Sequence, residues 1–144
     1  MPRTASDSRT TLRRLAVRDD AFVQDAMASD AANLAQSHLD AKTHAIVRLA
    51  ATIAVGGAEP SYRQIVDDAR TTGATTEEIV GTLIAVMTAT GVPRVVAAAP
   101  AVGLAIGYDV NAALEELDAR EAESTRRRAH APRRRAQSRS RKQQ

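Results

Sequence analysis

Apolar residues recur three and four positions apart along most of this chain, which is the pattern of amphipathic α-helices. The clearest stretch follows Asp40, where Ile46, Leu49 and Ile53 fall on one helical face. No stretch alternates in the way typical of a strand. The pattern therefore predicts an all-α protein of about six helices. These helices are expected near residues 20–28, 40–55, 60–72, 76–90, 93–107 and 109–120.

Several helix boundaries carry their own sequence signals. Asp40 is placed to cap the second predicted helix, and Gly56 is placed to end it. Thr75 followed by Glu78 three positions later has the form of a capping box at the start of the fourth helix. Pro100 falls inside the fifth predicted helix, which it is expected to kink or divide.

The fourth predicted helix is apolar nearly all round. Ile79 and Leu83 share one side, while Val80 and Ile84 make the opposite side apolar as well. Such a helix has to be buried nearly all round, and a small domain hides only part of its apolar surface. The sequence therefore predicts a homo-oligomer, with a monomeric bundle that buries every apolar side as the alternative.

Charge is distributed unevenly along the 144 residues. Residues 124–144 contain nine of the 20 basic residues and none of the 17 acidic ones, so the rest of the chain has a net charge of about −6. This asymmetry predicts three parts. They are an N-terminal arm of weak order over residues 1–18, a helical domain over residues 19–120, and a basic disordered tail over residues 121–144.

The tail is a candidate for polyanion binding. Its basic residues are Arg126, Arg127, Arg128, Arg133, Arg134, Arg135, Arg139, Arg141 and Lys142. Clustered cations bind nucleic acid without sequence preference by releasing counterions, and no aromatic residue lies among them to stack on bases. The alternative is a solvated extension that has no dedicated partner.

The composition excludes several kinds of chemistry. The chain contains no cysteine, which rules out disulfides and thiol redox catalysis by this chain alone. His38 and His130 have no partners at metal-ligand spacing, so no metal is expected. No cofactor is expected either, because Gly56-Gly57 is followed by an acid and a proline where phosphate needs free N–H groups. With no membrane-spanning or targeting segment apparent, the predicted location is cytoplasmic.

The middle of the chain resembles a known helical family. The resemblance is carried by Leu39-Asp40-Ala41-Lys42-Thr43, Gly73-Ala74-Thr75-Thr76-Glu77-Glu78-Ile79, Gly91-Val92-Pro93 and Gly107-Tyr108-Asp109-Val110. These segments are similar to the carboxymuconolactone decarboxylase family, which includes the alkylhydroperoxidase D-like proteins. The resemblance implies a compact helical domain of that type.

The redox branch of that family carries a Cys-x-x-Cys-x-x-x-His motif and a Glu on the preceding helix. Counting back from the Gly73 turn, the resemblance places the two cysteine positions at Ala58 and Ser61, the histidine at Ile65 and the Glu near Ala45. None of these side chains performs redox or proton chemistry. The decarboxylase branch also lacks the cysteines, so their absence leaves a lyase open.

A relocated site is the remaining possibility for catalysis. Arg48 is a candidate for holding a carboxylate, and His44 or Tyr62 is a candidate for moving a proton. Each has a structural alternative: a solvated His44, an Arg48 paired with Asp67 or Asp68, and a Tyr62 that supplies core area. The sequence thus favours a family member without the dithiol centre that is lyase-like, binds a small carboxylate, or is catalytically silent. Polyanion binding through the tail is the alternative, and peroxidase activity ranks last.

Overall fold

The computed structural model describes residues 5–130, which are all-helical and contain no strand. The all-α prediction is confirmed, although the described residues form eight helices rather than about six. In chain order they are α1 (Ala5–Ala16), α2 (Asp20–Met27), α3 (Asp30–Ser37), α4 (Ala41–Val55), α5 (Glu59–Thr71), α6 (Thr76–Thr90), α7 (Val92–Ala105) and α8 (Val110–His130).

Helices α4 to α7 pack together and enclose the hydrophobic core. The largest fully buried side chains there are Leu49, Ile53, Val66, Ile79 and Val102. Removing one such side chain from water stabilises a fold by about 1.5–3 kcal/mol. The packed core thus holds α4 and α5, together with their polar side chains, in fixed positions.

Both ends of α4 are fixed as the sequence predicts. The Asp40 carboxylate accepts the backbone N–H of Thr43 at 3.0 Å, which caps the first turn. Gly56 ends the helix with a φ of 76°, a left-handed conformation that glycine adopts without strain. A Cβ at Gly56 would also collide with the guanidinium of Arg94, which reaches the carbonyl of Val55. The end of α4 therefore needs glycine for its backbone conformation, whereas the Arg94 guanidinium, at the far end of a flexible side chain, can move aside.

The predicted capping box at the start of α6 is confirmed. Thr75 Oγ1 accepts the backbone N–H of Glu78 at 3.2 Å, and the Glu78 carboxylate accepts the N–H of Thr75 at 2.8 Å. Lys42 Nζ also donates to Glu78 Oε1 at 2.8 Å, which ties α4 to α6. The hydrogen bond from Lys42, followed by that from Thr75, lowers the pKa of Glu78.

Two helices lie where the sequence predicted none. Helix α3 replaces an expected polar connection, and Ser29 caps it by accepting the N–H of Ala32 at 3.1 Å. Helix α1 lies within the arm expected to be weakly ordered, while residues 1–4 of that arm are outside the described part. Arg14 secures the turn into α2, since it pairs with Asp19 at 2.9 Å and lies over the ring of Phe22.

The last two helices also run on where the sequence predicted an interruption. Helix α7 continues through Pro100, so it is not divided there. Helix α8 extends to His130 rather than ending near residue 120. Within this extension, Arg127 pairs at 2.6 Å with Glu123, which lies one turn earlier on the helix. Among the described residues, 5–106 and 107–130 form two compact units.

One side of α6 remains exposed in the single chain. Val80 is 41% exposed and Ile84 is 62% exposed, so the expectation of burial nearly all round is not met within one chain. Val96 and Leu104 of the neighbouring α7 are exposed as well. Among residues 5–130, no helix combines the length and apolar character needed to cross a membrane.

Candidate functional site

A groove between α3, α4 and α5 holds two of the predicted site residues. Its volume is about 250 Å³. Helix α4 contributes His44, Ala45 and Arg48, because residues at spacings of three and four share one helical face. Asp30 lies at the α3 wall and Asp68 at the α5 wall. The groove thus combines an imidazole, a guanidinium and two carboxylates.

His44 is buried in this groove rather than solvated. Only 7% of the residue is exposed, and its Nε2 lies 2.8 Å from Oδ1 of Asn33. The structural alternative of a surface histidine is therefore wrong. A buried imidazole with a fixed partner has one defined orientation, which is what proton transfer to a bound molecule requires.

Arg48 lies one turn after His44 on α4, and 34% of its side chain is exposed. Its Nη2 is 3.0 Å from Oδ1 of Asp30, and its Nη1 is 3.8 Å from Oδ2 of Asp68. The ion pair with Asp68 is the structural alternative considered for Arg48. The two acids hold the guanidinium in place at the groove, and a planar acceptor that binds it has to compete with them.

Tyr62 is not brought to the groove. It is 3% exposed within the core, and its hydroxyl donates to the backbone carbonyl of Thr52 at 3.4 Å. This is the structural alternative considered for it, in which the ring supplies buried area. Of the three candidate catalytic residues, the structure places His44 and Arg48 together and Tyr62 elsewhere.

The positions that correspond to the family's redox motif are separated. Ala45 lines the groove, and Ile65 is buried in the core. Ala58 and Ser61 are exposed at the start of α5, and neither they nor Ile65 line the groove. The substituted positions therefore do not meet at this groove, and only the lost Glu position, Ala45, lies beside His44.

Two residues of the site were not found from the sequence. Asn33, the partner of His44, and Asp30, the nearer acid to Arg48, both come from α3. The stretch contains a single large apolar residue, Leu34, so it shows little helical periodicity. The available signal was Ser29 followed by the acid Asp30, which is the start of a capped helix.

The basic tail is only partly described. Arg126, Arg127 and Arg128 lie on α8 and are exposed. The other tail residues lie outside residues 5–130. They are Arg133, Arg134, Arg135, Arg139, Arg141 and Lys142. No cluster of His, Cys, Asp or Glu in the described chain is arranged to hold a metal ion.

Comparison with known proteins identifies the scaffold. The model of the carboxymuconolactone decarboxylase family matches residues 20–103, from the start of α2 into α7. No curated protein and no solved structure matches the chain. The matched residues make up more than half of the sequence and include the three helices that form the groove. The chain belongs to the carboxymuconolactone decarboxylase family.

Proposed function

We propose that this chain is a lyase-like member of its family that binds a small carboxylated compound in the α3–α4–α5 groove. Arg48 holds the carboxylate of the compound, and His44 transfers a proton. The observation that carries the proposal is that His44 and Arg48, an imidazole and a guanidinium that carries N–H groups, line one groove. A bidentate contact to a carboxylate uses two parallel N–H groups of this kind.

The groove favours a small ligand. Sites for drug-sized molecules measure about 300–1,000 Å³, whereas this groove is about 250 Å³. Asp30 and Asp68 also surround Arg48, so the ligand carboxylate has to compete with two acids of the chain. We expect weak binding of a monocarboxylate and tighter binding of a compound that has further polar groups for Thr71 and Thr72 of the groove.

Thermal unfolding with a panel of small mono- and dicarboxylates tests the proposal, because a ligand that binds only the folded state raises its melting temperature. The expected stabilisation is lost in Arg48→Ala and partly retained in Arg48→Lys. Arg63→Ala is the matched control, since Arg63 is exposed on α5 and pairs only with Glu59 at 2.9 Å among described residues. Equal stabilisation of Arg48→Ala and wild type would exclude the Arg48 site.

Catalysis is tested separately from binding. A carboxylate that binds but is not consumed, with no change in binding for His44→Gln, would support the catalytically silent alternative. Peroxidase activity is not proposed, because the chain has no cysteine to form a thiolate. Peroxide consumption by the pure chain with a thiol reductant would contradict this.

Homo-oligomer formation is part of the proposal. Exposed apolar side chains on α6 and α7, such as Ile84 and Val96, support a second copy packing there. Light scattering of wild type and Ile84→Asp tests it, with a smaller particle expected for the variant. A wild-type monomer at micromolar concentration would exclude the oligomer. The cytoplasmic location also stays a prediction.

Polyanion binding through the tail is the second candidate function. Its support is the sequence charge, together with Arg126 and Arg128, which are exposed and pair with no acid among residues 5–130. Removing residues 124–144 should lower the salt concentration at which the protein elutes from heparin. Unchanged elution would show that the tail is not the binding element.

A further inference from the structure

Asn33 connects α3 to the imidazole of His44. Its Oδ1 lies 2.8 Å from His44 Nε2, and its Nδ2 donates to the carbonyl oxygen of Ala26 at 3.0 Å. A carbonyl oxygen only accepts, so this second bond fixes which end of the amide is the nitrogen. Oδ1 of Asn33 is therefore the acceptor toward His44, and Nε2 carries the hydrogen.

The other ring nitrogen of His44, Nδ1, has no hydrogen-bond partner among the described residues. Every fully buried side-chain nitrogen or oxygen in that part of the chain does have a partner, so Nδ1 is not fully buried. His44 is one of the side chains that line the groove. A neutral ring with its hydrogen on Nε2 presents a lone pair at Nδ1.

We infer that Asn33 is a positioning residue that holds His44 in the Nε2–H tautomer and leaves Nδ1 as the proton acceptor of the groove. The inference rests on the proposed function and narrows its chemistry to proton abstraction from the bound carboxylated compound. In that step a C–H bond of the compound breaks and its electron pair stays on carbon, while the proton bonds to Nδ1. The imidazolium that forms keeps its Nε2–H on Asn33.

The charged groups of the groove are consistent with this role. Asp30, Asp68 and Arg48 line the same space as His44. A carboxylate held by Arg48 is thereby brought next to a base.

Nitrogen NMR of the histidine rings in the full-length chain tests the inference directly, since protonated and unprotonated ring nitrogens resonate apart. The chain has three histidines, and His44→Gln identifies the signal. At a pH where the ring is neutral, wild type is expected to show His44 as the Nε2–H tautomer. Asn33→Ala should give a mixture of tautomers, whereas Asn33→Asp keeps an acceptor oxygen and should restore the wild-type form.

Gln36→Ala on the same helix is the matched control, because it removes an amide from α3 without removing the partner of His44, and its tautomer should match wild type. A wild-type ring protonated on Nδ1, or an Asn33→Ala tautomer ratio equal to that of wild type, would overturn the inference. If Asn33→Ala does not fold, the His44 tautomers of wild type and Asn33→Asp test the inference. This measurement needs no ligand, so failure of the chain to bind any carboxylate would defeat the proposed function while leaving the result on Asn33 unchanged.

Discussion

At the start of α5, the two positions that the family resemblance assigns to cysteines, Ala58 and Ser61, lie exposed at the surface. At the end of the same helix, Asp68 shares a groove with His44 and Arg48. A helix rises about 1.5 Å per residue, so Asp68 lies roughly 10–15 Å along the helix from these two positions. At the start of α5, the motif positions carry no side chain that performs acid–base chemistry. The other end of the same helix lies beside a cluster of ionisable groups.

The two ends of α5 differ in their side chains, although both lie within residues 20–103, which match the family model. The contact of Asn33 with His44 and the ion pair of Asp30 with Arg48 lie on the groove side only. Function has to be argued from the groove, since one fold supports different chemistries.

The substitution with the largest predicted effect weakens the core against which α5 packs. Leu49 on α4 is fully buried in the core that also contains Tyr62 and Ile65 of α5. Leu49→Ala should lower the free energy of unfolding by about 2–5 kcal/mol, measured by urea denaturation. Val47→Ala on the exposed side of α4 is the control. A loss no greater than that of the control would show that the core does not support α5 as described.

A second substitution disturbs only the region next to the start of α5. Gly56→Ala places a side chain at a φ of 76° and against the Arg94 guanidinium. The left-handed conformation should cost roughly 1–2 kcal/mol, whereas the Arg94 guanidinium can move aside because it ends a flexible side chain. Adding Arg94→Ala should therefore recover little of the loss, while the groove at the other end should keep its carboxylate-dependent stabilisation.

The matched control for Gly56 is Gly81 on α6. A Cβ at Gly81 meets no atom within 4 Å, and its backbone is ordinary helix. Gly81→Ala should therefore stabilise the protein by about 0.5–1 kcal/mol. A destabilisation as large as that of Gly56→Ala would show that the left-handed φ of Gly56 is not the cause.

The smallest predicted effect depends on pH and should leave both ends of α5 unchanged. Lys42 lowers the pKa of Glu78 below its ordinary value of 4.5. A lowered folded-state pKa stabilises the protein fully above the unfolded value, and this stability is lost as the pH falls through the folded value. The melting temperature of wild type should therefore fall more steeply below pH 4.5 than that of Lys42→Met. Parallel curves for the two proteins would contradict the link between α4 and α6.

The sequence supported accurate predictions where a local signal and a core face agreed. Asp40, Gly56 and the Thr75 capping box mark their helix ends as predicted, because caps act through nearby backbone groups. Helix α3 was missed, since its polar sequence has little periodicity and its place depends on contacts such as Asn33 with His44. Tertiary contacts of this kind leave no mark in local spacing.

The residues of the groove were also predicted only in part from the sequence. His44 and Arg48 were identified because they share a face of α4, a helix that the periodicity predicts well. Tyr62 was grouped with them, but its hydroxyl faces the Thr52 carbonyl, and the sequence does not show which side of α5 meets the groove. The exposure of Ile84 on α6 likewise depends on how many neighbours cover the helix, which its apolar pattern alone does not determine.

The central claim, that ligand chemistry belongs to the end of α5 that meets Arg48, is tested most directly by NMR titration of the isotope-labelled chain with the best-stabilising carboxylate. We expect saturable shifts of the Arg48 side-chain N–H and the His44 ring in wild type and no shift of the backbone N–H of Ser61, and we expect the His44 shift to be lost in Arg48→Ala. Shifts centred on Ser61, or shifts at the groove that persist in Arg48→Ala, would contradict it.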